Sequence, residues 1–298
     1  MTSIETASPL RVVAVHGIHN RFKGETPDTR KEEERTRKSA TWARELAAGL
    51  GVSPERLDVD FAYYADRLRP GPVAQGGQGG DFLDDPLAQE FLDVWARELG
   101  LAEEVAQGHA AVPLRAFSSW LARRFDLAEG PLAVFIRVVC GEVAAYLRSA
   151  DAPERIAARE EVAARIARHR PRVVVAHSLG SVVAYEALHA HPELRPELFL
   201  TLGSPLALPR VVFDRLVPAP RPADGPQLRG VGLPGGTRWV NIADPGDPVA
   251  VPPKLSRFFD GIALDHTATV SAHYRFHHAD NYLRSAATAA TIAPYLGI

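Results

Sequence analysis

Short unbroken apolar runs alternate along this chain with longer stretches in which apolar positions recur every three to four residues. Arg11 to His16 is Val-rich, the pattern of a strand covered on both faces of a parallel sheet. Residues 21 to 38 are densely charged and read as a solvated loop. Helical spacing then runs from Ser39 to Leu50, with Trp42, Leu46 and Leu50 on one face. Leu57 to Tyr64 reads as a second strand, and further strands are predicted at Arg172 to Ala176, Leu198 to Leu202, Arg238 to Ala243 and Ile262 to Val270. Between and after them lie helical patterns over Glu154 to Arg168, with Pro153 where a helix can begin, over Leu179 to Ala190, and from about Ala279 to Leu296. Such alternation implies βαβ units, and so an α/β fold with a mostly parallel central sheet and helices on both faces.

The rhythm breaks between residues 66 and 150. Pro70, Pro72, Gly76, Gly77, Gly79 and Gly80 precede helix-like segments carrying Phe91, Trp95, Leu114, Phe117, Trp120, Leu121 and Phe125, each set compatible with one apolar face. The stretch reads as a helical insertion within a single domain spanning residues 1 to 298. Its spacing suits a lid over a pocket and suits plain packing onto the core equally well. The glycine-rich piece lacks both a preceding strand and a following Gly-Lys-Ser/Thr, so it is not a phosphate cradle.

Composition narrows the classes. Apolar residues at 46% and charged residues at 23% are near globular averages, which disfavours disorder and a membrane class. Thirty-four basic against 36 acidic side chains give a net charge of -2, no field for steering toward nucleic acid or anionic lipid. Cys140 is the only cysteine, so neither an intramolecular disulfide nor a cysteine zinc site can form, and a reducing cytoplasm fits. The first ten residues lack the basic and apolar regions of a secretory signal. Leu132 to Leu147, the most membrane-like stretch, is shorter than a bilayer span, carries Arg137 and Glu142, and is expected as a packed helix rather than an integral membrane segment.

The candidate chemistry centres on Val-Val-Val-Ala-His-Ser-Leu-Gly-Ser, where a strand runs into Ser178 and a helix follows. A serine at the apex of so sharp a turn needs small residues two positions before and two after it. Ala176 and Gly180 stand there. The segment resembles the nucleophile elbow, GxSxG, of the α/β-hydrolase superfamily, lipase/esterase-like serine hydrolases, with Ala176 a departure from the usual glycine. A serine flanked by small residues also caps ordinary helices, so the strand-turn-helix context is what gives the motif its weight.

A serine hydroxyl needs a base within hydrogen-bond reach and a third group to orient that base. In the superfamily these follow in the order Ser, Asp or Glu, His. Asp247, in Asn-Ile-Ala-Asp-Pro-Gly-Asp-Pro-Val, resembles the acid position, and Asp244 competes with it; either suits an Asx-turn. His277, in Phe-His-His-Ala-Asp-Asn-Tyr-Leu just before the last helix, resembles the base, with His278 one residue away as the alternative. His266 falls inside the predicted last strand. For the oxyanion hole, the resemblance implies the backbone N–H of Leu179 and, from the segment Val15-His-Gly-Ile-His-Asn, that of Ile18. Gly17 lets that loop approach closely, His19 and Asn20 are candidates for substrate contact, and His16 reads as a packed residue holding the loop. Gly203-Ser-Pro-Leu resembles a turn that lipase-like hydrolases place near the site, with no catalytic role expected for Ser204.

The order of these parts points to hydrolysis of an acyl bond, carboxylic ester or thioester, through an acyl-enzyme, on a small or lipid-like substrate. No metal or organic cofactor is required. An acyltransferase or peptidase with the same residues, and a non-catalytic ligand-binding protein of the same fold, are the competing readings, together with a metal cluster of His273, His277, His278 and Asp280.

Overall fold

Six of the apolar runs pair into one sheet. The computed structural model describes residues 8–17, 28–68, 85–101, 111–223, 225, 227–270 and 277–298. In it β1 (Leu10–Val15), β2 (Leu57–Ala62), β3 (Val173–His177), β4 (Leu198–Leu202), β5 (Arg238–Ala243) and β6 (Ile262–Thr267) lie in the order β2-β1-β3-β4-β5-β6. Every pairing in it is parallel. Among the described residues eight helices accompany the sheet: α1 (Asp28–Leu50), α2 (Pro86–Glu98), α3 (Leu114–Phe125), α4 (Glu129–Leu147), α5 (Pro153–His169), α6 (Leu179–Ala190), α7 (Ala279–Arg284) and α8 (Ala286–Leu296). The fold is α/β, as the alternation of the two apolar periods implies.

Because successive strand residues point to opposite faces, each central strand feeds two cores. Val13, Val15, Val174 and Ala176 enter the larger one, with residues of α2 to α6. Val12, Ala14, Val173 and Val175 enter the other, with Trp42 and Leu46 of α1, Tyr282 and Leu283 of α7 and Ile292 of α8. Burial on both faces explains why these strands read as unbroken Val-rich runs. The larger core also holds a buried ion pair: Arg155 of α5 meets Glu186 of α6, whose carboxylate accepts from Tyr146 Oη at 2.7 Å and Val217 N at 2.9 Å. Four chain segments converge on that one carboxylate.

Three expectations are corrected. Helix α1 begins at Asp28, so residues 28–38 are helical instead of loop; ion pairs Glu32–Arg35 and Glu34–Arg37, three residues apart, lie along its solvated side. The charge run hid a helix because no apolar stripe marked it. The final helix is two, α7 and α8, broken at Ser285, which caps α8 by accepting from Thr288 N at 3.2 Å. Helix α4 extends back to Glu129, giving 19 residues, long and apolar enough by length and composition to cross a membrane. Half of its most apolar window is buried in the structure. Leu132, Ile136, Val139 and Val143 pack into the larger core.

The described part of the insertion joins that core. Phe91, Trp95, Phe117 and Leu121 are buried in it, and Trp95 Nε1 donates to Pro248 O at 2.6 Å. The α3–α4 junction also walls a cavity beside the ends of β1 and β3.

Candidate active site

The chain leaves β1 toward β2 on one side, whereas β3 lies on the other, so the segments beyond these two neighbouring strands diverge. In open α/β sheets the crevice at such a switch point is where ligands bind. His16-Gly17 follows β1 there, and Ser178 follows β3.

Ser178 has φ 55° and ψ -132°, a conformation that glycine adopts freely and serine does not. Its N–H donates to Leu202 O at 3.0 Å, prolonging the β3–β4 ladder to the apex, after which α6 starts at once. Close approach explains the small residues around it. A methyl group added at Gly180 would overlap the His16 carbonyl oxygen, and one at Gly17 would sit 2.6 Å from Ser178 Cβ. Ala176, in place of the usual glycine, pairs with Val15 and Thr201 and is fully buried.

The structure brings His277 and Asp247 to this serine. His277 Nε2 lies 2.8 Å from Ser178 Oγ and its Nδ1 lies 2.7 Å from Asp247 Oδ2. An ionised carboxylate only accepts, so Nδ1 carries the proton and the Nε2 lone pair faces the serine hydroxyl. All three are buried: Ser178 is 2% exposed, Asp247 2% and His277 7%. Asp247 Oδ1 accepts from Val249 N at 2.9 Å, fixing the carboxylate in its turn.

The alternatives fall elsewhere. Asp244 Oδ1 accepts from Gly246 N at 2.7 Å and Oδ2 from Val270 N at 2.8 Å, so this carboxylate ties the turn after β5 to the segment after β6. His278 is the residue before α7 and lines the cavity, while His266 sits in β6 opposite Ile242. Ser204 reaches the elbow through Ser181, whose Oγ lies 2.7 Å from Ser204 Oγ and donates to Ser178 O at 2.6 Å. Leu179, as the first residue of α6, has a first-turn N–H that no earlier helical carbonyl serves. Ile18, His19 and Asn20 lie outside the described residues, as does His273.

His16 holds its loop from within. Its Nδ1 donates to Gly17 O at 2.6 Å, its Nε2 accepts from Tyr64 N at 3.2 Å, and its ring stacks on Tyr64 at 4.3 Å. Burial drives its pKa down to about 3, so the ring is neutral. Two further residues at the site gave no earlier signal. Tyr282 Oη accepts from Asp244 N at 3.0 Å and donates to Asp247 Oδ2 at 2.8 Å, joining the two acidic residues. His177 packs its ring 4.6 Å from that of His277; burial, then the neighbouring His277, pushes its pKa well below the ordinary value. Gly203 adds room: a methyl there would meet Asp247 Oδ2 at 2.8 Å.

Gly17, His177 and His277 border a cavity of about 560 Å³, within the range of small-molecule sites. Trp42, Leu127, Leu132 and Phe135 give it apolar walls. Both ring nitrogens of His277 are engaged by Asp247 and Ser178, which removes it as a ligand from the metal cluster considered above. No family model, curated protein or solved structure matches this chain.

Proposed function

We propose that this chain is a serine hydrolase of the α/β-hydrolase type, cleaving an ester or thioester. The observation that carries the reading is the continuous chain of hydrogen bonds from Ser178 Oγ through His277 to Asp247. In the attack, His277 Nε2 takes the hydroxyl proton as Ser178 Oγ bonds to the acyl carbon. Asp247 holds the ring in the tautomer that leaves Nε2 free to accept and stabilises the imidazolium that forms. The carbonyl oxygen becomes an oxyanion beside the N–H of Leu179, with Ile18 N–H as the second donor expected from the resemblance. Collapse expels the alcohol or thiol, which takes the proton from His277. Water, deprotonated by the same nitrogen, then releases the acid and restores Ser178. An alcohol in place of that water would make the reaction an acyl transfer.

Sheet order supports the fold assignment, since the elbow follows a central strand beside the strand that precedes Gly17. The apolar walls formed by Leu127, Leu132 and Phe135 support an acyl chain of moderate length. A fluorophosphonate probe tests the reading: the wild type is expected to label at Ser178, and Ser178→Ala and His277→Ala to lose labelling. A wild-type protein that stays unlabelled while a control hydrolase reacts would overturn it.

A further inference from the structure

Helix α1 carries six basic side chains, of which Arg30, Lys38 and Arg44 form no ion pair among the described residues, and of these three Lys38 lines the cavity. Lys31, Arg35 and Arg37 each pair with a carboxylate. Lys38 does not: it lines the cavity, half-buried, and among the described residues no carboxylate comes within the 4.0 Å of an ion pair with its ammonium. It shares the cavity lining with His16, Gly17 and His277, whose Nε2 lies 2.8 Å from Ser178 Oγ. Thr41 and Trp42, from the next turn of the same helix, flank it on the cavity wall. The proposed reaction assigns this cation no task.

A half-buried ammonium with no carboxylate at ion-pair distance loses hydration that no direct contact restores. Burial accordingly lowers its pKa, opposed by attraction to Glu34 on its own helix and to Asp280 at the start of α7, and reinforced by Arg37. Asp126 and Asp280 are the cavity's carboxylates. Asp126 is exposed, where solvent screens it, and Asp280 lies in the first turn of α7, where the helix N-terminus favours a negative charge. Neither occupies the ammonium at contact distance, and the remaining cavity residues on this side, His16 and His278, add no negative charge.

We infer that the ester taken by this site carries an anionic group, a carboxylate or a phosphate, which Lys38 binds while the scissile carbonyl lies at Ser178. The inference rests on the serine-hydrolase reading and adds to it a substrate class: amphipathic, with an apolar part against Leu132 and Phe135 and a negative charge at the α1 wall.

The test is a ratio of kcat/KM values for matched phenyl butyrates whose ring bears a carboxylate, a phosphate monoester or no charge, with hemiglutarate esters to place the charge on the acyl side instead. The wild type should favour an anionic member of at least one series by about tenfold, the scale of a hydrogen bond to a charged group, chiefly through KM. Lys38→Met should abolish that preference and Lys38→Arg retain most of it. High salt should shrink it in the wild type. Fluorophosphonate labelling of each variant reports that the fold and the Ser178 site are intact. A labelled wild type that prefers the neutral esters, or a Lys38→Met variant that labels and keeps the anionic preference, overturns the inference and leaves the hydrolase reading standing. Absence of labelling in the wild type overturns both.

Discussion

Two aspartates three residues apart do different work, and the difference is visible in what each oxygen accepts. Asp247 gives one oxygen to the backbone of its own turn and the other to His277 and Tyr282, whereas Asp244 spends both on backbone N–H groups. Asp247→Asn is therefore expected to lower kcat about ten-thousand-fold, because an amide facing Nδ1 favours the wrong imidazole tautomer. Asp244→Asn turns an NH2 toward a backbone donor, and should cost about 1–3 kcal/mol of stability with less than a tenfold loss of kcat. Ester hydrolysis and urea unfolding of both variants check this pair, and the reverse pattern would move the acid to Asp244. The sequence held both candidates and separated them only by resemblance. Nothing in it marked Tyr282, since an apolar-face tyrosine on a helix reads as core; its hydroxyl acquires a task only because α7 docks beneath the turn after β5.

At the scale of elements, the strand-turn-helix around Ser178 stores strain that its neighbours enforce. Ser178 stays at φ 55° because its N–H is held by Leu202 and α6 is pressed against the β1 end at Gly180. Such positions cost about 1–3 kcal/mol for a residue with a side chain. Ser178→Gly should consequently be more stable than Ser178→Ala by roughly 1 kcal/mol, the relief of strain exceeding the extra freedom of the unfolded glycine chain. Equal urea midpoints would show that the strain at this turn is no larger than the entropy cost of glycine. Elements with strong apolar periodicity were legible to the residue: α6, β4 and β5 run as the pattern predicts. The first half of α1 was not, because ion pairs along the helix leave no apolar stripe to read. The break at Ser285 was missed because the apolar spacing continues across it, and only the cap shows that the backbone turns.

Across the whole molecule, neutral histidines are buried at the junction of the two sheet faces. His16 has its pKa held at about 3 and His177 well below the ordinary value, both chiefly by burial. Each is depressed in the folded state relative to 6.5, so the unfolded chain binds protons that the folded chain refuses. Their contribution to stability is complete above pH 6.5 and is lost as pH falls toward the folded pKa, at about 1.4 kcal/mol per pH unit for each ring. Unfolding measured between about pH 7 and pH 5 should show a shallower fall for His177→Gln than for the wild type; identical slopes would mean that His177 protonates freely in the fold. The sequence by itself determined the α/β class, the apolar strands and the sharp turn at Ser178, because apolar period and residue size act locally along the chain; the order of its partners came from the resemblance alone. Tertiary structure alone decided which acid and which histidine meet the serine, that Tyr282 and His177 join them, and that Lys38 faces the cavity. Those are distances between residues as many as 99 positions apart, set by how the strand ends align and by which side of α1 and α7 packs inward.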